Sequence, residues 1–275
     1  MLDVGQGLAV HVRTRSHDLL YDAGPPYGSE ADAGSRVILP YLRVAGTRAI
    51  DRLVLSHDDV DHVGGAASVI DGLAVGEVLA GQPEALGGPS GESSGASSRS
   101  DARWPAATRI RPCVGAAPWT WDGVRFEVLH PVAEPARGKN RDNDASCVLR
   151  VSGPSGALLL TGDIGVTAEA ALLARVHAGG LRTEVVVSAH HGSRSSSSPA
   201  FVDATLPAHV VHSAGYRNAF GHPHPQVWAR WTDAGARNWR TDAQGAIGMV
   251  FSADADEGVT VHAERERTPR YWHGR

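Results

Sequence analysis

At 275 residues, with 42% hydrophobic and 20% charged residues, the chain has the size and make-up of one large α/β domain or two small ones. No apolar run approaches the roughly 18 residues that cross a bilayer, and Met1-Leu-Asp-Val-Gly-Gln-Gly7 lacks the basic and apolar regions of a signal peptide. A net charge of −4 excludes nucleic-acid binding by overall charge and leaves it to local donors.

Paired strands are expected at residues 8–12 and 19–21, ending in the turn Asp22-Ala-Gly24-Pro-Pro26. A helical pattern through Val37, Leu39, Tyr41 and Leu42 covers 35–44, with Pro40 at its edge or kinking it. A strand at 52–55, a polar loop, a helix at 66–70 and a strand at 75–79 follow. Residues 82–103, rich in Gly, Ser, Pro and Ala, read as a flexible surface insertion. Strands resume at 109–114, 124–129, 147–151 and 157–160. Helices at 166–176, 199–204 and 225–233 then alternate with strands at 184–187, 209–212 and near Trp239. Strands at 246–251 and 259–262 close the chain. Two rounds of strands, helix and strand predict two sheets face to face with helices outside.

The polar loop is Ser56-His57-Asp-Asp59-Val-Asp61-His62-Val-Gly64-Gly65, directly after Leu53-Val54-Leu55. Alternate residues of an extended segment point the same way, so His57, Asp59 and Asp61 are expected to converge, with His62 closing a second site from the turn. Carboxylate oxygen and imidazole nitrogen together suit a borderline or hard divalent ion. Such density beside a buried strand costs stability unless something neutralises it. The segment reads as half of a two-metal site.

Three later segments supply the other half. Leu158-Leu-Leu160-Thr-Gly162-Asp163 ends a strand in one carboxylate, whose two oxygens can bridge two ions. Val185-Val-Val187-Ser-Ala-His190-His191-Gly192-Ser193 ends a strand in two imidazoles, and Gly221-His222-Pro-His224-Pro225 places two more on a Pro-stiffened loop. His222 is a candidate ligand, whereas His224 reads as the residue that opens a helix. His130 is either the ligand of the interval before Asp163 or an ordinary strand end. Asn143, Asp144 and Ser146 either cap a turn or face the site. Ser193, Arg194 and the serines to Ser198 can reach phosphate oxygens, or form a solvated loop capping the helix at Pro199. Arg217 and Asn218 can line the opposite wall. Cys113 and Cys147 are either two small buried residues or one disulfide, which implies an oxidising compartment.

The order His57-x-Asp59-x-Asp61-His62, Thr161-Gly-Asp163, His190-His191-Gly-Ser193, Gly221-His222-Pro resembles the metallo-β-lactamase fold, with Asp59 in place of the usual second His. With Leu2-Asp3-Val-Gly-Gln-Gly7, Leu20-Tyr-Asp22-Ala-Gly24 and Arg240-Thr-Asp242-x-x-Gly245-Ala-Ile247, the chain looks like the C-terminal domain of the competence DNA-internalisation channel (ComEC family), departing from it at Leu8. The resemblance implies an αββα sandwich of two mixed sheets, with the metals at one edge. It also implies a single hydrolase domain over 1–275, the channel and β-barrel domains lying outside the chain. The implied location is the extracytoplasmic, periplasmic side of the inner membrane. The implied activity is a nuclease that degrades the DNA strand that is not transported.

Two divalent ions sharing a water can drive an in-line phosphodiester displacement without a Ser or Cys nucleophile. His57 and Asp59 are then assigned to one ion, Asp61 and His62 to the other, and Asp163 between them. His190 or His191 and His222 complete the shells. Asp59, Asp61, Asp163 and His191 are the expected catalytic residues, and Asn143, Ser193, Arg194 and Asn218 the expected substrate contacts. The oxygen ligand Asp59 moves preference towards Mn²⁺ or Mg²⁺ without excluding Zn²⁺. Expected partners are single-stranded DNA and the membrane channel domain, with no small organic cofactor. Rival readings are a hydrolase of β-lactams, thioesters or small phosphodiesters, and a DNA guide without activity.

Overall fold

Apolar runs punctuated by Gly and Pro turns produce short strands, and the loops between them decide their direction. The computed structural model describes residues 1–86, 108–133, 143–177, 179–252 and 258–271. The first sheet runs in order through β1 (Val10–Arg13), β2 (Asp18–Tyr21), β3 (Ala49–Leu55), β4 (Ala74–Ala80) and β5 (Ile110–Pro112). β1 and β2 form an antiparallel hairpin, while β2 to β5 are parallel. Parallel neighbours need crossovers. One is a π-helical turn, Gly34–Ile38, continuing into α1 (Leu39–Val44), and the next is α2 (Val60–Val63) with α3 (Ala66–Gly72). The helix expected over 35–44 is therefore continuous but changes its winding, the π-helical part running directly into α1 just ahead of Pro40, whose missing N–H breaks the regular ladder there.

The second sheet contains β6 (Trp119–Trp121), β7 (Val124–His130), β8 (Val148–Gly153), β9 (Gly156–Leu160), β10 (Val185–Val187), β11 (His209–His212) and β12 (Arg237–Arg240). β6 to β9 are antiparallel; β9 to β12 are parallel, joined by α4 (Val166–Leu173), α5 (Pro199–Thr205) and α6 (Pro225–Asp233). Sequence reasoning missed β6, although Trp119-Thr-Trp121 alternates and Asp122-Gly123 is a hairpin turn. Both turn residues have positive φ, 51° and 83°, as a two-residue hairpin turn that follows the strand twist requires.

Three apolar clusters make the layers. Tyr21, Val54, Leu79, Phe126, Leu149, Leu160 and Val187 pack between the sheets. Ile38, Leu42, Leu53, Val69 and Val78 join the helices to the outer face of the first sheet, and Leu159, Leu172, Phe201, Val210 and Trp231 do so on the second. This is the expected αββα sandwich. The last two strands, β13 (Ile247–Phe251) and β14 (Val259–Ala263), do not join either sheet. They form a separate hairpin whose Ile247 and Ala263 cover Val185, Val211 and Trp239. From residue 87 the expected insertion at 82–103 lies outside the described residues. Pro83–Leu86 forms one 3₁₀ turn that buries Leu86 in the first core, because a lone Leu in a polar stretch still gains from burial.

Cys113 and Cys147 form a disulfide across the sandwich, with Cα atoms 6.0 Å apart and a sequence separation of 34. By chain entropy a loop of that length stabilises the fold by roughly 3–4 kcal/mol. Cys113→Ala is expected to lower the unfolding free energy by about that amount in non-reducing buffer. Denaturant unfolding with and without reductant checks this: equal midpoints for variant and unreduced wild type would show that the bridge does not carry stability.

Candidate metal centre

The carboxyl ends of the parallel strands meet at one edge of the sandwich, and the site is built from the loops that leave them. β3 delivers residues 56–62, β9 delivers Asp163, β10 delivers His190 and His191, and β11 leads to the loop bearing His222. The first loop differs from expectation. Backbone at Asp59 is extended (φ −66°, ψ 141°), but helix α2 starts at Val60, so Asp61 and His62 reach the site from a helical turn and not by strand alternation. Gly162 is tightly confined: at φ +53° an added Cβ would lie 2.7 Å from the Ser146 side chain and 2.9 Å from that of Ser56. That close approach lets the Asp163 turn sit against the first loop, and the Asp163 N–H donates to Ser146 Oγ (3.0 Å).

Asp163 is the centre of the cluster. Its Oδ1 lies 3.2 Å from His62 Nε2, and its Oδ2 lies 3.7, 3.8 and 4.0 Å from the Nε2 atoms of His191, His190 and His57. Asp59 Oδ2 approaches His57 Nε2 at 3.4 Å, and Asp61 Oδ2 approaches His191 Nε2 at 3.3 Å. Two sets of side chains each converge closely enough to hold one ion: His57, His62 and Asp163, and Asp61, His62 and His191. The expected pairings of His57 with Asp59 and of Asp61 with His62 are brought together. His62 belongs to both sets, which the sequence did not suggest. His222 stands further out, its ring centroid 5.8 Å from that of His190 and 6.3 Å from that of His191.

The histidines are held from behind. His62 Nδ1 donates to Asp22 Oδ2 (2.7 Å), a fully buried carboxylate that also accepts from Ser56 Oγ (2.8 Å) and Ser56 N–H (2.6 Å). Ser56 Oγ, its proton committed to Asp22, accepts from His57 Nδ1 (2.9 Å). His191 Nδ1 donates to the Ser213 carbonyl (3.1 Å). In each case Nδ1 is engaged from behind and Nε2 faces the cluster, the arrangement that second-shell partners give metal-ligating imidazoles. Asp22 was absent from the expected site residues. Its only sequence signal was the Leu20-Tyr-Asp22-Ala-Gly24 motif, because a turn Asp reads as a turn former.

Charge is arranged to match. Burial works against ionising Asp163, yet the imidazoles of His62, His191 and His57 hold its carboxyl well below the usual range. Asp61, also opposed by burial, is lowered to about 2 by His191 and His62, and Asp59 is lowered, foremost by the imidazole of His57 beside it. Burial pushes His62 down, but Asp163 and Asp22 raise it well above the ordinary imidazole value. His222 is lowered to about 4 by burial and by His191 and His190, so it is neutral and able to ligate at pH 7.

The fit to a metal rests on atoms without partners. His57 Nε2, Asp163 Oδ1 and His222 Nδ1 are buried and make no acceptable hydrogen bond. An orphaned buried polar atom costs about 1–3 kcal/mol, and three at one edge of the fold are explained by a ligand that takes lone pairs. Oxygen and nitrogen donors so grouped fit a divalent ion.

The remaining expected contacts divide. Asn143 opens a 3₁₀ turn and places Nδ2 3.5 Å from His190 Nδ1, so it faces the site. Ser193 Oγ meets Ser195 Oγ (3.0 Å), which in turn lies 3.3 Å from His190 Nδ1, while Arg194 is exposed beside them. Asn218 spends its amide on its own loop, donating to the carbonyls of Gly215 and His222 and accepting from the His222 N–H. It orders His222 instead of presenting a free amide. His130 donates from Nε2 to the Asp144 carbonyl (2.7 Å), which leaves the strand-end reading. His224 caps α6, Nδ1 accepting from the Gln226 N–H (3.2 Å).

Behind His191, buried His212 donates to Asn238 Oδ1 (2.9 Å) and is lowered by burial from 6.5 to about 4. Its neutral form stabilises the fold above pH 6.5, and that contribution is lost as pH falls towards 4, because the unfolded chain takes up the proton first. The loss amounts to roughly 3 kcal/mol. The stability difference between wild type and His212→Gln is expected to shift by that amount in favour of the variant between pH 7 and 4; a constant difference would show His212 does not titrate with folding.

The sequence model of the Metallo-beta-lactamase superfamily matches residues 2–209. The chain belongs to the metallo-beta-lactamase superfamily. Within it, the chain is 40% identical over 271 residues, 98% of its length, to Competence protein ComA of Neisseria gonorrhoeae, and covers 34% of that protein. It is 32% identical over 255 residues, 92% of its length, to Recombination protein 2 of Haemophilus influenzae, and covers 29% of that protein. The chain thus spans about a third of the length of these curated relatives. Among solved structures, the CmlA beta-hydroxylase E377D mutant superposes with a TM-score of 0.51 at 14% identity, over 86% of this chain and 51% of that one. That likeness bears on the metallo-beta-lactamase fold alone. No helix among the described residues is long and apolar enough to cross a membrane.

Proposed function

We propose that the chain is the metal-dependent nuclease domain of a DNA-uptake channel protein, residues 1–275 forming one hydrolase unit that degrades the strand left outside. The observation that carries this is the convergence of His57, His62 and His191 on the buried carboxylate of Asp163, on a chain whose curated relatives include a competence protein and a recombination protein. His57, Asp59 and Asp163 would hold one divalent ion, and Asp61, His62 and His191, with Asp163, the other; the single free nitrogen of His62 serves one ion only. His191 is preferred over His190 because its Nδ1 faces only a carbonyl acceptor, whereas His190 Nδ1 faces the Asn143 amide donor. His190 and His222 lie at the rim, able to complete the shells. Two such ions, when bound, supply Lewis-acid stabilisation of phosphodiester charge and lower the pKa of a water between them.

The chain's own residues do the rest. Asp22 and Ser56 fix the tautomers of His62 and His57. Ser193, Arg194 and Asn143 are the proposed phosphate contacts, supported by the Asn143 amide and the Ser195 partner of Ser193 lying against His190, and Arg194 offers a guanidinium suited to phosphate oxygens. The Cys113–Cys147 bridge agrees with a periplasmic setting, since disulfides persist in oxidising compartments.

Stripped protein, reloaded with single metals and offered single-stranded DNA, a small phosphodiester and a β-lactam, tests the reading. Mn²⁺ is expected to restore DNA cleavage better than Zn²⁺, because Asp59 adds a hard oxygen donor. Strong activation by Zn²⁺ with none by Mn²⁺ would overturn the metal assignment. Turnover of the β-lactam or the small ester without DNA cleavage would overturn the nuclease.

A further inference from the structure

The loop between β11 and α6 exposes two aromatic rings beside the site. Tyr216 is 67% and Phe220 70% exposed; among the described aromatic residues only Tyr271 is more exposed. Rings left in water on a loose loop would need no account. This loop is not loose: Asn218 ties it at Gly215 and at both backbone groups of His222, and the Gly215 N–H donates to Gln6 Oε1 (3.1 Å). The fold therefore spends hydrogen bonds on holding apolar rings outside its core.

Their placement is specific. Phe220 stacks on His222 at 5.6 Å and 23°, and His222 stacks on His191 at 6.3 Å and 19°. One face of Phe220 is thus supported by a ring that leads to the metal cluster, and the ring is otherwise open to solvent. Tyr216, on the same loop, carries the Arg217 guanidinium 5.2 Å from its centroid, so the loop that holds Phe220 also holds a cation. Planar rings with a free face, a neighbouring cation and a phosphodiester-cleaving centre are what proteins use to hold unpaired bases, since every base has a π-face.

Building on the nuclease reading above, we propose that Tyr216 and Phe220 form a nucleobase-stacking platform at the rim of the cleft, which selects polynucleotides with unstacked bases. Arg217 sits beside it, positioned for the backbone. The platform reads no sequence. It favours single strands because a duplex keeps its base faces occupied.

The test is binding, which does not depend on cleavage. Metal-free protein is titrated with a labelled oligothymidylate and with an abasic strand of equal length. Wild type is expected to prefer the base-bearing strand, and each of Tyr216→Ala and Phe220→Ala to lower that ratio by about tenfold, while Phe220→Trp retains it. Because Phe220 touches His222, the Tyr216→Ala variant and the metal content of both separate stacking from damage to the site. Equal wild-type affinity for the two strands, or a ratio unchanged in Tyr216→Ala, overturns the platform. A base preference lost in the variants, with neither strand cut by the metal-loaded wild type, keeps the platform and overturns the nuclease.

Discussion

Asp163→Ala is expected to abolish cleavage, with a rate loss on the order of a thousandfold or more, and to release both ions. Asp163 is the one carboxylate within 4.0 Å of four imidazoles, His57, His62, His190 and His191. Removing it takes a ligand from one proposed ion and the bridge to the other. It also leaves the four rings facing one another without the charge that offsets them. Asp59 and Asp61 sit at the mouth, about a third exposed, and cannot reach back to replace it. His224→Ala is the matched control. It removes a helix cap, costing about 1 kcal/mol of stability, and should leave metal content intact. Metal analysis and cleavage rates on both variants decide the matter; equal losses would mean the carboxylate is no more central than the cap.

Asp22→Asn is expected to weaken metal binding by about 10- to 100-fold although Asp22 is not itself a proposed ligand. The carboxylate accepts three hydrogen bonds, from His62 Nδ1, Ser56 Oγ and Ser56 N–H. An amide offers one acceptor oxygen, so its NH₂ must take the place of Oδ2 or of Oδ1. In the Oδ2 place it faces both His62 Nδ1 and Ser56 Oγ, so the imidazole proton moves to Nε2, away from metal ligation, and the hydroxyl must reverse. In the Oδ1 place it faces the Ser56 backbone N–H, which cannot reverse and loses its acceptor, so the loop behind His57 must shift. Backbone strain does not confuse the result, because Asn tolerates the left-handed conformation that Asp22 adopts at φ 58°. Calorimetric titration of the stripped variant measures the effect, and wild-type affinity would reduce Asp22 to a structural prop.

Much of the site was legible because chemistry leaves local marks. Five side chains with metal-binding atoms within six positions have no cheap structural use, and strand-end Asp163, His190 and His191 follow apolar runs that suit a buried strand. Sequence pattern and structure part where local rules compete. Alternation along an extended segment predicts that His57, Asp59 and Asp61 converge, but the chain bends at His57 and Asp58 and α2 starts at Val60, so the loop's own turns bring them in. Asn218 has the side chain of a substrate contact, yet its amide is consumed by the loop it orders. Trp119–Trp121 went unseen as a strand because three residues are too few to show a period.

The sequence by itself determined the αββα layering, the order of the candidate ligands and the pair of cysteines, since periodicity, turn residues and composition are properties of the chain alone. Only the tertiary structure decided the rest. Which histidine nitrogen is free depends on Asp22, Ser56 and the Ser213 carbonyl, groups up to 40 residues away that pairing of distant strands brings behind the rings. Whether Cys113 and Cys147 bond depends on the two sheets meeting face to face. Membership of His62 in both ligand sets is likewise a matter of distance across the sandwich edge, and no spacing along the chain encodes it.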